Sequence, residues 1–530
     1  MRLRALVLGC AAFAGGGWSA GALAAQAPPS RLWRPDERLV VPDLSRVSAV
    51  AVTQSYVFAA TPDALAVYDR GFGSLREILD RSDGFPGGPI NAMVADPTDD
   101  TAWLAGNGGW AAYHEFGHRW DGGPLPGHVD LVVLDAADPS RGAYFHTQAG
   151  WYFVEKNGLG AQPVGAPPPP GRRIAPLSRR DLAAAAPGLP AVQLDLERDA
   201  QLRATPMTSA ALSSIRGEAY IATWGNGVFR VDLGSYRADR LPAGLLGTAT
   251  GAVAADRDQV CAAADLRASE AQRGITCFAP DLSSFRDLRG GFLGLPGTRV
   301  RRLLLTRDAA WLATDAGALR VPRDGGPARV LDARALGSAD VRAFAPAPEG
   351  VWIGTAEGVA VAADSAEGAV QRVAAVGPGV LALAVTGDTL WIGTPVGVAV
   401  LMPGSTTPLA VEPDQPSMRE PVYALAVKGD TILAGMGARL AVREGGGWRV
   451  ADPPGAPIGG ITAAAADRAG FWLGGAQGLA FYQPARNLWR ALTSSGDVPF
   501  PVNDVAVDAE HVWVATPGGV VRLLRRVLAP

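Results

Sequence analysis

His114-Glu115-Phe116-Gly117-His118 places two imidazoles four residues apart with a carboxylate beside the first. On a helix that spacing puts both rings on one face, where they hold zinc while the glutamate serves as base. Here the surrounding pattern is not helical. His114-Glu115 falls at the end of a strand, Phe116-Gly117 in a turn, and His118-Arg119-Trp120 in the next strand. Glycine inside the motif further disfavours a helix. The expectation is therefore no metal site and no catalytic residue. His114 and His118 stand only as candidate ligands that a hairpin could bring near each other, with His128 and His146 in the same stretch. The acidic run Asp96-Pro97-Thr98-Asp99-Asp100 could attract calcium but reads as a turn between strands. Gly71-Phe72-Gly73 and Gly106-Asn107-Gly108-Gly109 are turn glycines, since no helix follows to complete a phosphate loop. No nucleophile elbow with a matching triad stands out, and no cofactor is expected.

The elements that carry these residues repeat. Around Trp391 runs Thr389-Leu390-Trp391-Ile392-Gly393-Thr394-Pro395-Val396-Gly397-Val398, an apolar strand, a short turn and a second strand. The Trp391 slot recurs at Phe58, Trp103, Tyr144, Tyr220, Cys261, Trp311, Trp352, Leu433, Trp472 and Trp513, in steps of 39 to 50 residues except for one of 76. A period near 40 with several short strands per unit is that of a propeller blade. Each unit reads as four strands. The first is short and apolar, the second carries the aromatic, and the third opens six residues later at Gly109, Gly150, Gly317, Gly358, Gly397, Gly478 or Gly519. The fourth often holds Trp-Arg, as at Trp448-Arg449 and Trp489-Arg490. A sheet with two apolar faces cannot bury either alone, and stacking around an axis buries both. The recurrent aromatics are thus read as core between blades, not as sugar platforms.

The fold class that follows is all-β, a β-propeller of about eleven four-stranded blades. The expected division is two rings of about five and six, with one large ring as the alternative. The last unit supplies three strands, and Leu32-Trp33-Arg34-Pro35 copies Leu488-Trp489-Arg490. An N-terminal strand near 31–36 is therefore expected to complete it, removing an exposed edge.

Trp352-Ile353-Gly354-Thr355-x-x-Gly358-Val359, Trp391-Ile392-Gly393-Thr394-x-x-Gly397-Val398 and the lead-in Ser82-Asp83-Gly84-Phe85-Pro86 resemble the two-component-regulator propeller repeat. That repeat builds the periplasmic sensor halves of bacterial hybrid histidine kinases. The resemblance spans about 31–530 and implies a sensor-type propeller. The chain departs from those sensors in having eleven units instead of two seven-bladed rings, and no spanning helix or kinase is read after them.

Residues 1–25 read as a secretory signal: Arg2 and Arg4, the apolar Ala5 to Ala14, then Ala22-Leu23-Ala24 as a cleavage site. Leu8-Gly9-Cys10 is a weaker hint of a lipoprotein site. No transmembrane segment is expected after signal removal, so the protein is placed in the periplasm or outside the cell. A net charge of −3 gives no basic footprint for nucleic acid. Cys261 and Cys277 fall opposite each other on one predicted hairpin, which in an exported chain favours a disulfide. The long step leaves an insertion at 160–206, rich in Pro and Arg, with a short helix over Ser178 to Ala186 stopped by Pro187. It is either a partner contact or a disordered excursion. The domains expected are the signal at 1–25, N-terminal blades over 26–295 and a six-blade region over 296–530. The function expected is an exported, non-catalytic scaffold for a protein or glycan ligand in the bacterial envelope. The alternatives are a propeller enzyme, a carbohydrate hydrolase or lyase, and a detached ligand sensor for a two-component system. Oligomeric state is not legible.

Overall fold

A computed structural model of the chain describes residues 31–529 except 32, 35, 159, 190–195, 200–201, 214–216, 266, 270–271, 290–298, 349, 413–414, 438 and 452–457. The expected signal at 1–25 and Cys10 lie outside the described residues. The repeat units are numbered below as blades 1–11 in chain order.

Blade 6 shows how a unit is built. Its strands Val300–Leu305, Ala309–Thr314, Gly317–Pro322 and Arg329–Leu331 pair antiparallel in chain order. Successive side chains leave from opposite faces, and both faces here are apolar. Leu303 and Leu312 enter the core shared with blade 5, Leu304 and Trp311 the core shared with blade 7. Between the second and third strands the Thr314 hydroxyl donates to Gly317 O at 2.6 Å, a bond repeated from Thr355, Thr394 and Thr516. Gly317 has φ 128°, and a Cβ there would sit 2.4 Å from Leu331 O in the fourth strand. The repeated glycine is thus required by the approach of the fourth strand as well as by the turn.

Blade 11 obeys the same rule with a borrowed strand. Arg38–Val41 pairs with Gly519–Leu524, from Arg38 opposite Leu523 to Val41 opposite Val520, and Val41 O occupies the space that a Cβ on Gly519 would need. The N-terminus therefore completes the last unit, but not with residues 31–36. Residues 38–41 win because they alternate correctly: Leu39 and Val41 enter one core and Val40 the next. Trp33 instead donates its indole N–H to Asp497 Oδ1 at 2.8 Å.

Blades 2 and 3 depart from the pattern. Gly109, expected to open a third strand, lies inside Thr101–His114. That strand folds back near Gly108 (φ 81°), since the rings of Trp103 and Trp110 lie 5.9 Å apart, whereas seven extended residues span about 23 Å. The next strand, Arg119–Asp135, serves both blades and fuses them into one seven-stranded sheet.

The division into rings differs from the expected five and six. Inner strands Thr250–Ala255, Val300–Leu305, Val341–Ala347, Ala382–Thr386, Ala424–Lys428, Ile461–Ala466 and Asp504–Val507 each pack on the next, and the last packs on the first. Blade 5 therefore joins blades 6–11. Phe278 meets Trp513 edge to face at 5.8 Å, and the Thr250 hydroxyl donates to Thr516 O and Gly519 O, both at 3.0 Å. The boundary falls before Thr250, not at 295. The other four blades pack in the order 4, 1, 2, 3.

The 160–206 insertion is folded where it is described. Arg173–Ile174 pairs with Leu134 and Asp135 of blade 3, and Leu177 bridges Ala210 of blade 4. The helix Arg179–Ala185 starts at Ser178, whose side chain accepts from Asp181 N in a capping box. Leu182, Ala186, Leu189 and Leu196 are buried against Ile221, Phe229 and Val231 of blade 4. The segment is a strap between blades 3 and 4 that covers the outer face of blade 4. No helix among the described residues is long and apolar enough to cross a membrane.

Candidate functional site

The histidines do not converge. His114 Nε2 lies 2.9 Å from Asp121 Oδ2, and its Nδ1 lies 3.2 Å from Thr101 Oγ1. His118, in the turn at φ 49°, faces the Tyr113 hydroxyl at 3.0 Å and Glu77 at 3.4 Å. Tyr113 and His114 are consecutive in a strand and leave from opposite faces, so the two imidazoles are held on opposite sides of the sheet. His146 pairs with Asp130 at 2.7 Å, and His128 lies 3.3 Å from Asn91. Among the described residues no group of three His, Cys, Asp or Glu could hold a metal. The acidic turn closes on itself: Asp96 accepts from Thr98 N at 2.9 Å, and Lys156 pairs with both Asp96 and Asp99. Cys261 and Cys277 stand directly opposite each other and are joined by a disulfide.

Among the described residues four cavities stand out; one, of about 440 Å³, is a surface groove beside Glu510, Arg525 and Arg526, and the other three lie nearer the candidate residues and the blade axes. The first of these three, of about 520 Å³, lies under the Ser82–Pro86 turn, lined by glycines, Trp110 and Trp120. Its Asp121 is already held by His114 and Arg119.

The second, about 270 Å³, is the axis of the larger ring, and all seven inner strands line it. One slot of the repeat, the residue paired two positions beyond the anchor, lines this axis in every blade of the ring but blade 5, where Ala252 is buried in the core shared with blade 6. Ala252, Ala343, Ala382, Ala424 and Ala463 fill it in five blades, Arg302 and Asp504 in the other two. The Arg302 guanidinium reaches past blade 5. It donates to Thr462 O at 3.2 Å and Asn503 O at 3.5 Å, and lies 3.8 Å from Asp504 Oδ1. Burial raises the Asp504 carboxyl above its ordinary range, and Arg302 and the amides of Val253 and Val505 pull it back. The axis therefore holds one charge pair, already engaged, in a wall whose other side chains are mostly Ala, Val and Leu, with Tyr423 and Thr462. The sequence signal was available in an alanine slot filled once by arginine and once by aspartate.

The third cavity, about 280 Å³, lies where the two groups of blades meet. Residues 42–47, which link the borrowed strand to blade 1, run along the blade 4 hairpin: Gly225 N and Gly227 N donate to Ser45 O, and Val47 N donates to Thr223 O. Arg46 and Trp224 form an antiparallel bridge. Blade 5 contributes Gln272, Asp287 and Arg289, and the strap contributes Asp199 and Arg203. Arg203 makes two bonds to Asp199, through Nε at 2.7 Å and Nη2 at 2.5 Å. Arg240 donates to Asn226 O at 2.8 Å and lies 3.8 Å from Asp287. Burial raises the Asp43 carboxyl, and its Oδ1 accepts from Ser45 N at 2.8 Å. Trp224 is 42% exposed, whereas Trp103, Trp311, Trp472 and Trp513 are fully buried. Its turn position is held by Ala356, Pro395, Ala476 and Pro517 in other blades, a difference readable from the sequence.

No family model matches the chain, and no curated protein does. Solved structures resemble it in fold alone. The extracellular domain of the putative one component system BT4673 from B. thetaiotaomicron is 12% identical with a TM-score of 0.43, over 91% of this chain and 70% of that one. The extracellular domain of the putative hybrid two component system BT3049 from the same organism is 14% identical with a TM-score of 0.44, over 91% and 68%. Virginiamycin B lyase from Staphylococcus aureus is 14% identical with a TM-score of 0.43, over 52% of this chain and 95% of its own.

Proposed function

We propose that this protein is an exported, non-catalytic β-propeller scaffold that binds a protein or glycan ligand in the bacterial envelope. The observation that carries this reading is the axial wall of the larger ring. A propeller enzyme draws catalytic groups from separate blades toward one mouth. Here that position offers alanines and one arginine–aspartate ion pair whose members are already engaged, Arg302 by the carbonyls of Thr462 and Asn503 and Asp504 by the amides of Val253 and Val505. Export is supported by the signal-like residues 1–25 and by the Cys261–Cys277 disulfide, which persists in oxidising compartments. The repeat motif at Trp352 and Trp391 favours one version of the reading, in which the bound ligand is reported to a separate kinase.

The test is crosslinking in the native host of a C-terminally tagged chain, followed by mass spectrometry. A reproducible envelope partner or a captured glycan is expected, and a kinase among the partners selects the sensor version. Failure to capture either, together with turnover on a panel of polysaccharides, overturns the scaffold reading in favour of the enzyme.

A further inference from the structure

We infer that the cavity between the two groups of blades is a binding site for a small carboxylate carried on a flat ring, with Trp224 as the platform and Arg46 as the anion contact. Directly opposite residues of an antiparallel bridge send their side chains to the same face, with Cβ atoms about 5 Å apart. Arg46 and Trp224 are so placed, and they come from segments that meet only in the folded chain. From neighbouring Cβ atoms a guanidinium can reach the edge of an indole, and a ring stacked on the indole can present its carboxylate to the guanidinium fork.

The charge balance selects an anion. Four arginines line the cavity against three aspartates. Asp199 is engaged by Arg203, Asp287 by the Thr276 hydroxyl at 2.9 Å, and Asp43 is buried with its Oδ1 on Ser45 N. Arg46 is exposed and makes no close ion pair with any described residue, although its charge is felt by the Asp43 and Asp63 carboxyls. The volume, about 280 Å³, suits a single ring and not a chain of them. The flat face explains why the only turn tryptophan among the second-to-third strand connections stands at this cavity. A protein partner docked elsewhere on the scaffold would leave this inference intact.

The experiment is titration calorimetry on the full exported chain with glucuronate, 4-hydroxybenzoate, glucose and inorganic phosphate. Saturable binding of one of the two ring carboxylates is expected, and which one binds tells a sugar acid from an aromatic acid. Arg46→Ala and Trp224→Ala should each weaken it at least about tenfold, while Arg46→Lys and Trp224→Phe keep part of the affinity. Both residues are exposed, so an unchanged melting temperature shows that the variants are folded. No binding of either carboxylate at about 10 mM overturns the proposal. So does glucose or phosphate binding as tightly as the carboxylates, or affinity unchanged in both alanine variants.

Discussion

Arg302 and Asp504 occupy the same slot of the repeat in two different blades, and their side chains meet 3.8 Å apart at the axis of the larger ring. Five other blades place alanine there, so each charge has the other as its counter-charge, alongside the carbonyls that hold Arg302 and the amides that hold Asp504. The Asp504 carboxyl is raised by burial, with Arg302 opposing the shift. A raised native carboxyl costs nothing while protonated and costs stability as pH climbs through its native pKa. Arg302→Met removes the opposing charge. It should therefore cost little near pH 4 and about 2 kcal/mol near pH 8, where Asp504 must ionise alone. Urea unfolding at the two pH values measures the difference. The double variant Arg302→Ala with Asp504→Ala should recover most of the loss, because it restores the residue used in the other five blades.

Asp508 is the opposite case. It sits in the turn between Asp504–Val507 and His511–Thr516, and accepts from Glu510 N at 2.8 Å, His511 N at 2.7 Å and the Trp513 indole at 2.7 Å. Burial acts to raise its carboxyl, but the His511, Trp513 and Glu510 donors hold it down at about 2. A depressed native pKa gives stability that is present above the unfolded value and lost as pH falls through the native one. Asp508→Asn should cost about 2 kcal/mol at pH 7. That difference should shrink between pH 4 and pH 2. Denaturation followed by Trp fluorescence reads both, since Trp513 loses its carboxylate partner in the variant.

What could be read from the sequence follows from what repeats. The apolar second strand recurs in every blade and the glycine in most of them, so the Trp391 slot and Gly317, Gly397 and Gly519 identify the fold. The arithmetic of one hairpin sets Cys261 against Cys277. The ring division was not legible because any blade can stack on any other. The choice is made by single contacts such as Phe278 on Trp513 and Thr250 on Thr516. The borrowed strand was displaced for a related reason: Trp33-Arg34 copies Trp489-Arg490 in type, but the pairing answers to the alternation of Leu39, Val40 and Val41. The candidate ligand site was half visible. Trp224 stands out in its turn, whereas Arg46 acquires meaning only when a linker is laid beside blade 4.

The three cysteines give a direct count. Cys261 and Cys277 are bonded, so the unfolded, unreduced protein should titrate no free thiol if residues 1–25 are removed on export, and one if Cys10 is retained. Zero is the expected result, with an intact mass beginning near residue 26. Replacing both Cys261 and Cys277 by alanine should cost about 3 kcal/mol, the loop-closure value for a bridge of this short span. The loss should appear in unfolding of the larger ring, since blade 5 belongs to it.

Leu182 decides what the strap is for. Its side chain has no exposed surface and packs in one cluster with Ile221, Phe229 and Val231 of blade 4. A partner-docking loop would not bury its helix in this way, because its apolar side chains would be kept for the partner. Leu182→Ala should therefore destabilise the chain by about 3 kcal/mol, the usual cost of emptying a buried leucine site. Arg180, on the exposed side of the same helix, should change stability by less than about 0.5 kcal/mol when replaced by alanine. Limited proteolysis locates the effect. In Leu182→Ala new cleavage should begin within 160–206 and spread to blade 4, because the strap shields the face that Ile221 and Val231 present. Blades 6–10, which share no core with the strap, should stay intact. A variant as stable and as protease-resistant as the parent would show that blade 4 does not need its cover, and the segment would return to being a surface for partners.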